Sequence, residues 1–335
     1  MTSDPVWITE HDVVALMHLG EAVDAIERGL RAEGEGHATN MEKTAAHWGA
    51  SSNMHAIGAV DEAHGTFGTK TWGHTPGGST PLLVLWDAAT GRLRAVIEAF
   101  ALGQMRTGAM SGVGTRWMSD PAADELAVIG AGKQALTQVA AVLAVRPIRR
   151  VRIFSPTTAR REAFAAKLAG LYPHVIVEGC PDAAAAVTDA PIVTLITRAR
   201  EPVLFASMLA RGAHVNAAGA ITGERREFAQ DVFPRAGFVA VDTIKATRAL
   251  SSEFIDWCDG TRGGDWSGVH RIADIVAGRV ARPASPDVTL FKAMGMGISD
   301  LAVALEILSR ALAAGRGRPI PHPDRVTPRL FGDGG

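Results

Sequence analysis

Apolar and polar positions change rhythm several times along the 335 residues. Over residues 21–32, Val23, Ile26 and Leu30 fall at helical spacing with Ala22 and Ala25 beside them, which predicts a scaffold helix with one face turned inward. From residue 54 to 99 the texture becomes short apolar stretches cut by glycine. They cover 55–60, 65–72, 81–86 and, after the Asp-Ala-Ala-Thr-Gly turn at 87–91, 93–99, and they predict a mixed sheet. Helical spacing returns over 102–118, where Leu102, Met105 and Met110 are apolar. Gly103, Gly108, Gly112 and Gly114 each lower helix propensity there by up to ~1 kcal/mol. Such a cost implies either close approach of a backbone or ligand, or tight helix packing.

The pattern sharpens at residues 125–135, Glu-Leu-Ala-Val-Ile-Gly-Ala-Gly-Lys-Gln-Ala. An apolar run of strand length breaks at Gly130 and Gly132 and passes into a helix-like stretch, 135–144. A second strand, 151–154, follows at the distance that one βαβ unit requires. Gly130 permits the turn, Gly132 lets backbone approach a pyrophosphate, and Ala135 lets helix and strand pack closely. The cofactor-contacting set therefore begins with Gly130, Ala131, Gly132, Lys133 and Gln134, at a helix end whose free N–H groups face phosphates. Strand candidates at 192–196, 212–217 and 238–242 alternate with helical segments. This predicts an α/β fold with a doubly wound parallel sheet of Rossmann type, whose ligands bind at the carboxyl ends of the strands, where Thr197 and the turn at 216–219 lie. Leu301, Leu305, Leu308 and Leu312 predict an amphipathic helix over 298–314, followed by a Gly-, Pro- and Arg-rich tail expected to be mobile or to lie along a partner.

Composition narrows the class. With 47% apolar residues the chain can bury a large core, and its length implies two domains. The net charge of −1 and the dispersed arginine pairs argue against nucleic acid and anionic membrane as partners. No leader is recognisable and no apolar run approaches the ~18 residues of a spanning helix, so a soluble, cytoplasmic protein is expected. Cys180 and Cys258 are too isolated for a disulfide framework or zinc cluster, and the eleven histidines lack ligand spacing.

The second strand of the βαβ unit runs into Ser155-Pro156-Thr157-Thr158-Ala159-Arg160-Arg161. An NAD site usually closes this strand with an acid for the ribose hydroxyls. Here hydroxyls and arginines stand instead, so NADP(H) is the expected cofactor, with Ser155, Thr157 and Arg160 near the ribose phosphate and NAD(H) as the alternative.

Taken in order, several motifs give the chain a wider resemblance. These are Gly-Thr-Lys at 68–70, Asp87 with Thr90-Gly91, Met-Arg-Thr-Gly-Ala at 105–109 and Val-Ile-Gly-Ala-Gly-Lys-Gln-Ala at 128–135. His-Val-Asn-Ala-Ala-Gly at 214–219 and Met-Gly-Met-Gly-Ile-Ser-Asp-Leu-Ala-Val-Ala at 294–304 complete the set. With them the chain resembles the ornithine cyclodeaminase and mu-crystallin family. The resemblance implies a Rossmann domain at 120–296 inserted in a substrate-binding and dimerisation domain formed by 1–119 and 297–335, and a homodimer. It also implies hydride transfer between nicotinamide and an imine or amine. Arg106 matches the arginine that grips the substrate carboxylate, a task suited to its rigid fork. Lys70 matches the lysine beside the reacting centre, where a lowered pKa suits it to donate a proton or a hydrogen bond. Thr107 and Thr197 match cofactor-touching positions, and the resemblance implies that Ala218 and Met296 would flank the nicotinamide.

Two positions depart from the family pattern. Lys43 stands where a second carboxylate-binding arginine is usual, giving a point charge without the fork, while Glu42 beside it could meet an amine. Ile221 stands where cyclodeaminases carry an aspartate that handles water and ammonia, whereas Glu227 agrees with the family. An isoleucine moves no proton. The expected activity is therefore reduction of a small 2-imino acid or cyclic ketimine, or of a 2-oxo acid plus amine; a cyclodeaminase or a non-catalytic NADPH-binding protein are the alternatives. His47, Trp48, Trp72 and His74 are candidates to line the substrate pocket.

Overall fold

A computed structural model describes residues 4–260 and 263–331. Its first sheet is built from β1 (Val6–Ile8), β2 (Ala38–Asn40), β3 (Thr44–Trp48), β4 (Ser52–Asp61), β5 (Thr66–His74), β6 (Leu82–Asp87) and β7 (Leu93–Glu98). The pairs from β2 to β7 are antiparallel and β1 lies parallel to β7, so the sheet is mixed as the pattern predicts. Alternation decides its two faces. Ile57, Ala59, Leu83, Leu85, Ala95 and Ile97 point inward and are buried, whereas Met54 (48% exposed) and Val60 (39%) point outward with Val84 and Trp86. Helices α1 (Glu10–Leu16), α2 (Leu19–Glu35) and α3 (Phe100–Met118) join the inner core.

The second sheet is wholly parallel. It holds β8 (Glu125–Ile129), β9 (Arg150–Phe154), β10 (Ile176–Gly179), β11 (Ile192–Leu195), β12 (Ala213–Ala217), β13 (Ala236–Val241), β14 (Val269–Arg271) and β15 (Val288–Lys292), in the order β10-β9-β8-β11-β12-β15-β13-β14. The order reverses direction beside β8, which places a ligand crevice at its carboxyl end. Apolar clusters cover both faces: one includes α4 (Ala135–Leu143) and α5 (Thr158–Leu171), the other α6 (Ala183–Val187), α7 (Ile244–Leu250) and α8 (Ser252–Cys258), while α9 (Ile272–Val276) joins the inner core of the first sheet. The sequence pattern missed β15, although it is central. Its Val-Thr-Leu-Phe-Lys carries a hydroxyl and a charge that are fully buried only because both find partners.

Helix α10 (Gly297–Ala313) returns to the first sheet and packs on α2, β4 and β5. Gly297 lies so near the Gly58 carbonyl that a Cβ would fall 1.8 Å from it. The glycines of α3 have separable explanations. A Cβ on Gly108 would meet the Thr137 carbonyl at 2.4 Å, one on Gly112 Val23 at 2.6 Å, and one on Gly114 Phe291 at 2.5 Å, so these are packing contacts; Gly103 instead faces Lys70 Nζ. The tail departs from expectation. A short strand, β16 (Arg318–Pro319), pairs with β1, and the Leu93 N–H donates to His322, so the first part of the tail is docked on its own chain by edge pairing. No described helix is long and apolar enough to cross a membrane.

Candidate active site

The turn after β8 has the geometry a pyrophosphate needs. Gly130 sits at φ 120°, a conformation that suits glycine, and donates its N–H to the Phe154 carbonyl. A side chain there would collide with the Ile196 carbonyl. Gly132, by contrast, opens on free space within 4 Å, between half-buried Ala131 and exposed Lys133, immediately before the α4 N-terminus at Gln134. An open cradle of backbone at a helix N-terminus fits a dinucleotide phosphate. Beyond β9, Ser155 is buried and its carbonyl accepts from Arg161; Thr157 precedes α5 and Arg160 is exposed on the first turn. Arg161 thus shapes the loop while Arg160 stays free to reach outward.

Helix α3, which packs on α4 behind this turn, also carries one member of a cluster of charges. β5 carries Lys70 inward, α3 carries Arg106, and both meet Asp300 of α10: Lys70 Nζ donates to Asp300 Oδ1 at 2.5 Å and Arg106 Nε lies 3.2 Å from the same oxygen. Lys70 is 4% exposed. Its burial, opposed by Asp300 and reinforced by Arg106, lowers its pKa to about 8. Asp300 Oδ2 is buried without a hydrogen-bond partner, and Arg106 Nε is not aligned to bond. The cluster is therefore incomplete as it stands. Lys43 is solvent-exposed, with its ammonium 5.8 Å from the Trp72 ring centroid; partial desolvation and then Arg106 lower its pKa.

Cofactor turn and charge cluster are joined by α3, whose Thr107 carbonyl accepts from Gln138 of α4. Thr107 Oγ1 is turned back onto the Gly103 carbonyl. Met296, 2% exposed, precedes α10; just before it, Gly295 at φ 93° passes so close to Arg106 that a Cβ would lie 3.1 Å from Nη1. Asp242 accepts the Met294 and Gly295 N–H groups and fixes that turn. Across the crevice, Glu227 accepts from Thr197 N (2.6 Å) and Oγ1 (2.9 Å), Gly219 N (2.7 Å) and Ala220 N (2.9 Å), so one buried carboxylate holds the loops after β11 and β12. Burial pushes its pKa up. Ala218 is buried between those loops, and Ile221, the next residue after Ala220, offers no titratable group.

The sequence profile of the Ornithine cyclodeaminase/mu-crystallin family matches residues 4–315. The chain belongs to this family. A Delta(1)-pyrroline-2-carboxylate reductase of Bacillus cereus (strain ZK / E33L) is 31% identical over 245 residues, 71% of this chain and 73% of that protein. The ketimine reductase mu-crystallin of Rattus norvegicus is 30% identical over 223 residues, 66% of each. In fold, the chain is similar to the Thermococcus litoralis Delta(1)-pyrroline-2-carboxylate reductase solved with NADH and L-proline, with a TM-score of 0.86 at 24% identity over 94% of this chain and 100% of that one.

For this member of the ornithine cyclodeaminase/mu-crystallin family, the structure adds residues that sequence reasoning missed. Asp300 is foremost. Its signal was present, a single acid within the otherwise uncharged stretch 294–304, since a carboxylate buried on an apolar helix requires a partner. His55 is the second, on the same sheet face as Lys70 and 5.1 Å from the Trp72 ring. Two expectations are corrected. Trp48 alternates to the outer face, 50% exposed, and does not share the inner face with His47 and Trp72. Glu42 is directed at the surface toward Lys245, with which it forms an exposed ion pair, and not into the Lys70–Arg106–Asp300 cluster. Among the described residues no group of three or more His, Cys, Asp or Glu is placed to hold a metal.

Proposed function

We propose that the chain is an NADP(H)-preferring oxidoreductase that reduces a small 2-imino acid or cyclic ketimine, including an imine formed from a 2-oxo acid and ammonia, to the amino acid. The observation that carries this reading is the buried Lys70–Asp300–Arg106 cluster beside the nucleotide turn. Gly130, Ala131, Gly132, Lys133 and Gln134 would hold the pyrophosphate, Ser155, Thr157 and Arg160 the ribose end, and Thr107, Thr197, Ala218 and Met296 the nicotinamide end. When bound, a reduced nicotinamide supplies the hydride that turns the C=N carbon into CH and is itself oxidised, the nitrogen gaining one proton for balance.

This chain's residues orient and protonate. Arg106, with Lys43 at the mouth, grips the substrate carboxylate and sets the imine across the crevice. Lys70 Nζ holds the proton. With a pKa of about 8 it is charged at neutral pH yet able to give the proton up to the imine nitrogen, and Asp300 fixes its direction. The first sheet's outer face, with Met54, Val60 and Trp48 exposed, supports a homodimer formed through it. The functional division then falls at 119/120 and 296/297, and free Cys180 and Cys258 accord with a cytoplasmic setting.

The test is consumption of NADPH and NADH with a panel of cyclic and acyclic 2-imino acids, run beside ammonia release from ornithine. Imine-dependent oxidation without ornithine activity is expected. Ammonia release with Ile221 in place would overturn the argument from the missing carboxylate.

A further inference from the structure

The two halves of the molecule also meet at the end of α4 that lies away from the cofactor turn. There the start of α2 approaches the end of α4, so closely that a Cβ on Gly20 would stand 3.6 Å from that of Ala144. Beside this contact a solvent-open cavity of about 620 Å³ separates the two helices, within the roughly 300–1,000 Å³ of small-molecule sites. Helix α4 has 9 residues. At 1.5 Å per residue its length, about 14 Å, keeps this cavity apart from the pyrophosphate turn.

The lining divides by chemistry. Its floor is aliphatic, made by Leu19 of α2, Leu143 of α4, and Pro147 and Ile148 from the loop that leads into β9. Arg146 is a closed wall, because its guanidinium is spent on Ser119 Oγ and on the carbonyls of Thr115, Arg116, Val145 and Ser119. Arg149 at the rim is different. It is exposed, and its guanidinium makes no ion pair among the described residues. Asp124, whose carbonyl accepts the Arg149 N–H, does not line the cavity and keeps its carboxylate beyond ion-pair distance. His18 and His174 share the rim. The acid beside His18, Glu21, is held by Arg310 at 2.5 Å. Half-buried Tyr172 closes the side, its ring edge-on to His174 at 6.3 Å. No Asp or Glu among the described residues lines this space.

An aliphatic floor under one uncommitted guanidinium, with no carboxylate opposing it, suits a molecule with a hydrocarbon body and a single negative charge. We propose that this cavity is a second ligand site, separate from the imine pocket, for a medium-chain aliphatic monocarboxylate. Its chain packs on Leu19, Leu143 and Ile148, and its carboxylate meets Arg149 at the rim. The site stands or falls independently of the redox reading, since none of its residues belongs to the Lys70–Arg106–Asp300 cluster.

Calorimetric titration of the full-length protein with octanoate and with octan-1-ol tests the assignment. Octanoate is expected to bind with a Kd below about 1 mM. The alcohol should bind about fivefold more weakly, the scale of one ion pair at a rim open to water. Arg149→Met, at an exposed position where folding is not at risk, should bring the two ligands level. Ala144→Trp, which fills the cavity from the exposed end of α4, should abolish binding of both. Arg106→Ala should leave octanoate binding as it was, because the substrate clamp is elsewhere. Octanoate that does not bind at about 10 mM, or that binds no better than the alcohol, overturns the site. So does binding that is lost in Arg106→Ala yet kept in Arg149→Met and Ala144→Trp, which would put the acid in the imine pocket.

Discussion

Lys70 against Asp300 and Lys292 against Glu253 are both lysine–carboxylate pairs withdrawn from water, with side chains 5% and 2% exposed in the first and 0% in the second. Around Lys292 the carboxylates are spent on the chain itself. Glu253 accepts from the Glu227 N–H and from Ser251 Oγ, and Glu227 in turn holds three loop N–H groups and one hydroxyl. Around Lys70 the bonding stops short, with Asp300 Oδ2 unbonded and the Trp72 ring close by. Lys292 Nζ itself, 3.2 Å from Glu253, is not aligned to hydrogen-bond, so the contrast lies in the carboxylates: depth of burial does not separate the two pairs, whereas an unused carboxylate oxygen beside the crevice does. The first pair keeps an oxygen that a ligand would complete under the proposed function, whereas the carboxylates around the second hold the loops after β11 and β12.

The comparison breaks most visibly at Lys70. Lys70→Met should cut kcat for imine reduction by about 10³-fold or more, within the span of a lost general acid, with little change in melting temperature because Arg106 still faces Asp300. In the native protein kcat/KM for reduction should hold below about 8 and fall as pH rises through that value, because the proton to be donated is then missing. The variant's profile should lack that limb. A limb that survives in Lys70→Met assigns it to another group.

Lys292→Met should do the reverse. It leaves Glu253 buried without its cation, at a cost of about 3–5 kcal/mol in denaturant unfolding, and Lys292→Met combined with Glu253→Gln should recover part of it. Full stability in the single variant would show that the pair is not needed to hold the loops.

What could be read in advance follows the same division. The β8–turn–α4 unit, strands β4 to β7 of the first sheet and the α10 stripe were legible because period and turn chemistry are local, whereas the short strands β1, β2, β3 and β16 gave no such pattern. That Lys70 and Arg106 lie near each other was legible through motif resemblance. Asp300 and His55 were not, since their roles depend on α10 crossing β5 and on the register that sets His55 opposite Trp72, relations between segments far apart in sequence. β15 stayed hidden for the same reason: Thr289 and Lys292 are acceptable in a buried strand only once Met118 and Glu253 are beside them.

Arg106 sharpens the contrast within the open cluster. Removing it by Arg106→Ala takes away charge-assisted hydrogen bonds to the substrate carboxylate, so the apparent substrate constant should rise by about 10²-fold. NADPH affinity, measured by fluorescence titration, should stay nearly constant, since the pyrophosphate turn belongs to β8 and α4. An unchanged rate at low substrate would remove Arg106 from the site.

The smallest effect lies at the edge of the cofactor crevice, where two adjacent arginines repeat the open-versus-closed distinction in miniature. Arg161 is closed on the chain, donating to the Ser155 carbonyl at 3.0 Å and approaching Thr158 Oγ1. Arg160 is exposed on the first turn of α5, where an added ribose phosphate would find it. A solvated pair of this kind contributes about 1 kcal/mol at most. Arg160→Ala should therefore raise the KM for NADPH about fivefold and leave that for NADH unchanged. Arg161→Ala, which loosens the loop itself, should weaken both cofactors alike. If Arg160→Ala moves the two cofactors together, the discrimination is made by the hydroxyls of Ser155 and Thr157, and the preference for the phosphorylated form loses its arginine.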